Sequence, residues 1–370
     1  MSSMTDNCKK FFAAVMTGVM LLSSTSCGMI EMRDSTADLE EKEESAPLML
    51  EPAERKNTVE TRKEPEIVIE EEPAAAVTLC LTGDIRIDDN IIRDAANRAS
   101  EGKSYSFVRM YSGVFRNICS ADLAFGSYST LSTPAGSDGS RNTPVESLAA
   151  LADVGFDVLD TDGAEDKSGD LTEYGISGLE SENDAVFIEK NGIMFALLSS
   201  DGTNLDNIKT AAGMADAVIV SIDWADGSSA EENEKTAFEL ALAGADVIIG
   251  KGNVLGSVEW IDVGSGAPAI CAYSLGNLIA TSKDPFELCG GLLELTLKEE
   301  EGGCRITNAV ISPSVVRYTE GYSDYQLVML EDYGCELSGD HSVIGADCNT
   351  LLPYVRETVA AEFLDPDLRG

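Results

Sequence analysis

Several apolar, β-branched runs in this chain end in side chains that can do chemistry. TLCLTG delivers Asp84, and FDVLDT leads to Asp162 and Glu165. AVIVSI delivers Asp223 and Trp224, DVIIG delivers Lys251 and Asn253, and the stretch YSLGN carries Asn277. Four converging carboxylates would make an all-oxygen site for a hard cation, so calcium, magnesium or manganese are the ions to consider, with Asp84 and Asp223 as the first ligands. Lys251 brings its own positive charge to the same set, and a lysine among carboxylates can stand in electrostatically for a metal. The single histidine, His341, lies far along the chain, which removes a Ser-His-Asp triad or a histidine-based acid. No glycine-rich nucleotide loop follows any strand.

Each of these residues also has a purely structural reading. Asp84 can satisfy backbone amides after Gly83, and Asp223 can cap the loop that follows it. Asp162 and Glu165 lie in a run of Asp, Gly, Lys and Ser that reads as a solvated loop. Lys251 can form a salt bridge or touch a ligand, and Trp224 can wall a pocket or pack. Tyr273, Ser274 and Asn277 fit the stabilisation of a last strand and its turn.

The elements that must position these residues alternate between strand and helix. Strands are expected at 76–84, 121–127, 156–161, 215–223 and 245–250, with a hairpin over 185–200 turning on Asn191-Gly192, the pair that supplies positive φ angles. Helical spacing over 106–118 puts Phe107, Met110, Tyr111, Val114, Phe115 and Ile118 on one face. Thr143 to Glu146 reads as a capping box with proline at the first helical position, and that helix stops at Gly155. Ser229 with Glu232 caps the helix that Gly244 ends. YSLGNLIA, GGLLELTL and RITNAVIS read as antiparallel strands, and 349–364 as a closing helix. The pattern is that of an α/β domain with mixed sheets and helices on the outer faces. No repeat of 20–50 residues is present.

Composition fixes the setting. The 370 residues include 65 acidic and 26 basic side chains, a formal charge of −39, which argues against nucleic acid and against docking on an anionic membrane through a basic patch. Lys9 and Lys10 precede an apolar run over 11–22, too short for a comfortable span and suited to a signal peptide. The small residues SSTS then lead to Cys27, placed like the lipidated cysteine of a bacterial lipoprotein, although Ser24 stands where leucine is usual. The expected organisation is a signal segment over 1–27, an acidic tether over 28–76, a folded domain over 77–320 and a C-terminal extension over 321–370. Membrane contact is expected only through the N-terminal segment, with the mature chain outside the cytoplasm. Residues 28–76, with 15 acidic and 6 basic side chains, bury too little to offset their ordering entropy. Seven cysteines remain beyond Cys27. Cys335 and Cys348 are the expected disulfide, and Cys80 and Cys271 the expected buried thiols.

In order and content, LTGDIRID (81–88), ADLAFGSYSTLST (121–133), LADVGFDVLDT (151–161), VFIEKNGIMFALLS (186–199), ADAVIVSIDWADG (215–227), AGADVIIGKGNVLGSVEW (243–260) and CAYSLGNLIA (271–280) resemble the CapA-type family of poly-γ-glutamate capsule biosynthesis proteins. The resemblance covers about 77–315 and implies a metallophosphatase-like four-layer α/β/β/α sandwich with mixed sheets. It also implies that Asp84 is a metal ligand. The family's other metal motifs are altered. Asn-Leu-Glu is here Ser127-Tyr128-Ser129, Asn-Asn-His falls at Asp162 to Glu165, and His-Trp-Gly is Asp223-Trp224-Ala225. Gly-His-x-Pro-His is Gly250-Lys251-Gly252-Asn253, one residue shorter. Every family histidine is missing, and a two-metal phosphoesterase centre built on imidazole should not assemble. No cofactor is therefore expected.

The leading expectation is a surface-tethered CapA-like protein with a degenerate centre that binds or scaffolds an envelope polymer or envelope protein. The alternatives are a metal-dependent hydrolase with a carboxylate-rich site, and a component of capsule polymer synthesis or export. Against the last, a strongly acidic domain should repel polyglutamate.

Overall fold

The computed structural model describes residues 76–129, 143–161, 171–181, 185–264, 266–300 and 303–369. The signal segment, the tether, Cys27, Asp162 and Glu165 lie outside them. The strands are β1 (Ala76–Ile85), β2 (Leu123–Tyr128), β3 (Val158–Asp160), β4 (Ser177–Leu179), β5 (Ala185–Lys190), β6 (Ile193–Ser200), β7 (Ala217–Ile222), β8 (Val247–Gly250), β9 (Val258–Ile261), β10 (Ala269–Ala272), β11 (Asn277–Ile279), β12 (Cys289–Glu300), β13 (Gly303–Thr319) and β14 (Ser323–Met329). The helices are α1 (Asp89–Asn97), α2 (Phe115–Ser120), α3 (Glu146–Val154), α4 (Leu205–Ala212), α5 (Ala230–Ala243), α6 (Cys335–Gly339) and α7 (Cys348–Thr358).

An aspartate stands just before four of the parallel strands and does the same job each time. Asp122 accepts the Thr78 N–H of β1, and Asp157 that of Ala124 in β2. Asp216 accepts from Met194 in β6, and Asp246 from Val218 in β7, all at 2.8–2.9 Å. Each carboxylate closes the open N-terminal end of the neighbouring strand, a backbone donor that must find a partner. The recurring "Asp before an apolar run" is therefore structural, and it fixes which end of each sheet is left for chemistry.

Two sheets result. One runs β14-β13-β12-β1-β2-β3-β4 with β11 against β1; the other runs β5-β6-β7-β8-β10-β9. Both are mixed. β1 is parallel to β2 and antiparallel to β12, while β7 and β8 are parallel inside a sheet whose β5–β6 and β9–β10 pairs are antiparallel. Leu79, Leu81, Phe125 and Leu293 of the first sheet meet Phe195, Leu197, Ile219 and Val247 of the second in a shared apolar core. α1, α2 and α3 cover the outer face of the first sheet, and α4 and α5 that of the second. The order helix, sheet, sheet, helix is the expected four-layer α/β/β/α sandwich.

The local readings hold where the residues carry a backbone reason. Asn191 and Gly192 adopt φ of 51° and 86°, the Ser229–Glu232 capping box forms, and Gly155 and Gly244 end their helices with φ of 114° and 113°. Three readings are corrected. The single helix expected over 106–118 breaks into a short 3-10 turn and α2, because Gly113 presses against the Leu327 carbonyl, where a Cβ would lie 2.2 Å away. The six apolar residues assigned to its face are nonetheless buried. The capping box at Thr143 does not form: α3 starts at Glu146, and the buried Thr143 hydroxyl finds no partner among the described residues. The YSLGNLIA segment yields β11, which lies parallel to β1 rather than antiparallel. The described residues belong to one compact unit, and β14 extends the first sheet directly from β13.

Burial lifts the Asp246 carboxyl to about 6, against a smaller opposing effect of the Val218 N–H. Its unfolded value is about 3.9. Between those limits the folded chain binds more protons than the unfolded one, so this group's contribution to stability falls as pH rises from about 4 to about 6. Asp246→Asn is expected to flatten that part of the stability–pH curve in urea melts. Parallel curves for the two proteins would refute the assignment.

Candidate functional site

Because the aspartate closures occupy the N-terminal strand ends, the C-terminal ends of β1, β2, β3, β7 and β8 gather at the opposite rim, where α/β proteins place their ligands. β1 reaches the rim through a close approach. A Cβ on Gly83 would sit 1.9 Å from the Gly276 carbonyl oxygen, and Asp84 N–H donates to that same oxygen at 2.9 Å. Only glycine lets the LTGD and SLGN segments touch. In register, Asp84 then stands beside Ser127 of β2 and Asn277 of β11.

The Asp84 carboxylate is nearly buried and fully engaged. Arg86 Nε contacts Oδ2 at 2.5 Å. Ser129 Oγ lies 2.9 and 2.8 Å from the two oxygens, and Ser127 Oγ donates to Oδ1 at 3.2 Å. Arg86 lies two residues on, on the same face of the extended chain, and its side chain is 46% exposed. The Asp84 of a metal centre would turn its oxygens toward an ion; this one turns them toward a guanidinium and two hydroxyls.

A second pair stands beside it. Lys251, in the turn after β8, places Nζ 3.0 Å from Oδ2 of Asp160. Asp160 ends β3, its side chain is 0% exposed, and Ser199 Oγ at the end of β6 also donates to it, at 3.4 Å. Lys251 N–H donates to the Ile222 carbonyl at 2.9 Å, which ties the turn to β7. This pair spans the two sheets. Lys251 makes the salt bridge that is one of its two readings, and it also faces the cleft.

Asp84, Arg86, Ser127, Ser129, Asp223, Lys251, Gly252 and Asn253 line one cleft of about 320 Å³. The structure thus brings together four of the sequence candidates: Asp84, Asp223, Lys251 and Asn253. Asp223 lies just past β7, with an exposed side chain and its N–H donated to the Ser200 carbonyl at 2.9 Å. Of the other four, Asp162 and Glu165 lie outside the described residues, and Asn277 and Trp224 do not line this cleft. Asn277 is buried and donates from Nδ2 to the carbonyls of Asn253 and Glu287, both at 2.9 Å, which pins the Asn253 turn. Trp224 packs on Tyr273, with ring centroids 5.6 Å apart, and donates from Nε1 to the Tyr273 carbonyl at 2.8 Å. It walls a separate cleft of about 260 Å³ that includes Asp201, Asp226 and Glu232. Ser274 accepts the Gly276 N–H and donates to the Val254 carbonyl, the turn-building role expected of it.

Sequence reading missed Asp160 and Arg86. Asp160 falls within the FDVLDT run, where an acidic residue closing a buried strand is its signal. Arg86 stands in the quoted LTGDIRID, and its i+2 spacing from Asp84 was the clue.

A divalent centre does not fit the described residues. No group of three His, Cys, Asp or Glu side chains among them converges as a metal-binding set. At the rim, Asp84 and Asp160 are already paired with side-chain cations, and hard cations need converging oxygens with room between them. The expected Cys335–Cys348 bridge is also corrected. Both are free thiols that open separate helices, α6 and α7, with Cys335 exposed and Cys348 half-buried. Cys80 and Cys271 are buried thiols, as expected.

The fold is a four-layer α/β/β/α sandwich with two mixed sheets and a polar cleft at its carboxyl strand ends. Residues 181–282, which carry β5 to β11 and one wall of the cleft, match the family model described as "Bacterial capsule synthesis protein PGA_cap". No curated protein sequence matches the chain. Among solved structures, the 5'-nucleotidase precursor from Thermus thermophilus aligns with a TM-score of 0.38 and 10% identity, over 76% of this chain and 59% of its own. The calcineurin-like phosphoesterase YfkN from Bacillus subtilis aligns with a TM-score of 0.39 and 14% identity, over 66% of this chain and 91% of its own.

Gly83→Ala is expected to cost about 2 kcal/mol or more of stability, because both backbones at the contact are held by strand pairing. Denaturant melts measure this, and a change below about 0.5 kcal/mol would show that the close approach relaxes freely.

Proposed function

We propose that this chain is a CapA-like protein of the bacterial envelope whose centre has lost metal-dependent hydrolysis. Its cleft binds or scaffolds an envelope polymer or protein. The observation that carries this reading is the Asp84 carboxylate, closed by Arg86, Ser127 and Ser129. A carboxylate held this way spends its oxygens on a guanidinium and two hydroxyls, and a centre that holds no ion has neither an activated water nor a Lewis acid for phosphoester cleavage. The cleft itself remains formed, with the exposed Asp223 and Asn253 at its mouth.

The envelope setting rests on the N-terminal sequence, with its basic pair, apolar run and Cys27, and on the capsule-synthesis family of residues 181–282. No helix among the described residues is long and apolar enough to cross a membrane. The N-terminal segment is therefore the proposed attachment, through a lipid on Cys27 or through the signal segment. The excess of acidic residues disfavours an anionic polymer as a direct ligand except through bridging cations or a local basic surface.

Elemental mass spectrometry on the purified chain after dialysis against mixed divalent ions tests the metal-free reading, with Asp84→Ala as its pair. Less than about 0.1 ion per chain in both is expected. A stoichiometric ion that disappears in Asp84→Ala would restore the hydrolase reading.

A further inference from the structure

Charge decides what the main cleft can hold. Of the charged groups that line it, Asp84 is nearly buried behind Arg86, Ser127 and Ser129, and Lys251 is directed at Asp160, which does not line the cleft. Arg86 and Asp223 are the exposed charges of the lining, and they have opposite signs. Arg86, just past β1, gives only Nε to Asp84. Its terminal Nη groups, the planar fork that takes a carboxylate bidentately, meet no acceptor among the described residues. Asp223, just past β7, comes from the other sheet, and its carboxylate makes no ion pair or hydrogen bond among the described residues. A guanidinium and a carboxylate thus line one cleft from two different sheets without pairing with each other.

A ligand with only negative charge would meet Asp223 and the chain's formal charge of −39, and one with only positive charge would meet Arg86 and Lys251. A molecule that carries one carboxylate and one ammonium satisfies both exposed groups. It is also neutral as a whole, so the acidic chain does not repel it. At about 320 Å³ the cleft lies at the small end of ligand sites. We propose that it binds a small zwitterion, a free α-amino acid or a short peptide with both ends free, with the carboxylate on the Arg86 fork and the ammonium on Asp223. The exposed Asn253 adds a neutral hydrogen-bonding group to the same lining. The inference gives the proposed binding role a chemical class and rests on the metal-free reading, because Arg86 is set in the cleft by Asp84.

Isothermal titration of the full chain in EDTA tests it, with alanine and alanylalanine as probes. Propionate and ethylammonium, which carry one charge each, are the controls. Saturable binding of at least one zwitterion is expected, with a Kd on the order of 1 mM or tighter and at least tenfold tighter than either control. Tighter alanine binding assigns a free amino acid, and tighter alanylalanine binding a peptide. Asp223→Asn, a change at an exposed side chain, should weaken this binding at least tenfold and leave the melting temperature unchanged. Asp223→Lys should trade the zwitterion for the dicarboxylate succinate, an exchange that a structural role for Asp223 would not produce. No saturable binding of either zwitterion at tens of millimolar would overturn the proposal and leave the metal-free reading intact. Controls that bind as tightly as the zwitterions, or equal binding by wild type and Asp223→Asn, would do the same. Binding that appears only when manganese replaces EDTA would instead overturn the metal-free reading.

Discussion

A carboxylate withdrawn from water needs a counter-charge, a hydrogen-bond donor or a proton, and at the cleft of this protein Asp84 and Asp160 meet counter-charges. Asp160 has no exposed side-chain surface, and Asp84 has almost none. Once strand pairing has fixed their backbones, the rim can close only if positive charge arrives. Lys251 brings it across the gap between the sheets, so the pair that neutralises Asp160 also links β3 of one sheet to the turn after β8 of the other. Charge compensation and the docking of the two sheets are one event at this point of the molecule. The close contact of Gly83 with Gly276 is the other half of the same construction, since it lets β1 carry Asp84 down against β11.

The opposite end of the sheets is built from the same residue type used differently. Asp122, Asp157, Asp216 and Asp246 take up strand N–H groups, and none faces the cleft. Much of the acidity within the strand-and-loop pattern is thus consumed as backbone closure at one end and as ion pairs at the other. Asp223 is the exception at the rim: it lines the cleft with an exposed carboxylate.

The layers of this fold were legible because they follow from short-range rules. The Asn191-Gly192 turn, the Ser229–Glu232 cap and the glycine helix ends are dictated within four residues of themselves, and the apolar runs announce strands by their β-branched content. The failures involve long-range contacts. Gly113 breaks a helix because Leu327, far along the chain, needs its space, and β11 runs parallel to β1 because of where SLGN meets LTGD. The same division runs through the site. Asp84, Asp223, Lys251 and Asn253 were recognisable as strand-end residues, and they do share a cleft. That Asp84 would be closed by Arg86, and that Lys251 would choose Asp160, depends on side-chain directions and on the sheet-to-sheet gap, neither of which a single sequence encodes locally. Asp162 and Glu165 remain readings of the sequence alone, since they lie outside the described residues.

On the proposed metal-free reading, the Lys251 ammonium stays against Asp160 and the Arg86 guanidinium against Asp84 whatever divalent ion is offered. The most direct measurement is anomalous X-ray scattering from crystals of the full chain grown in manganese, at a resolution that places Lys251 Nζ. Density for the lysine against Asp160 and the arginine against Asp84, with no anomalous peak in the cleft, is the expected result. A manganese peak between Asp84, Asp160 and Asp223, with Lys251 swung out to solvent, would contradict it.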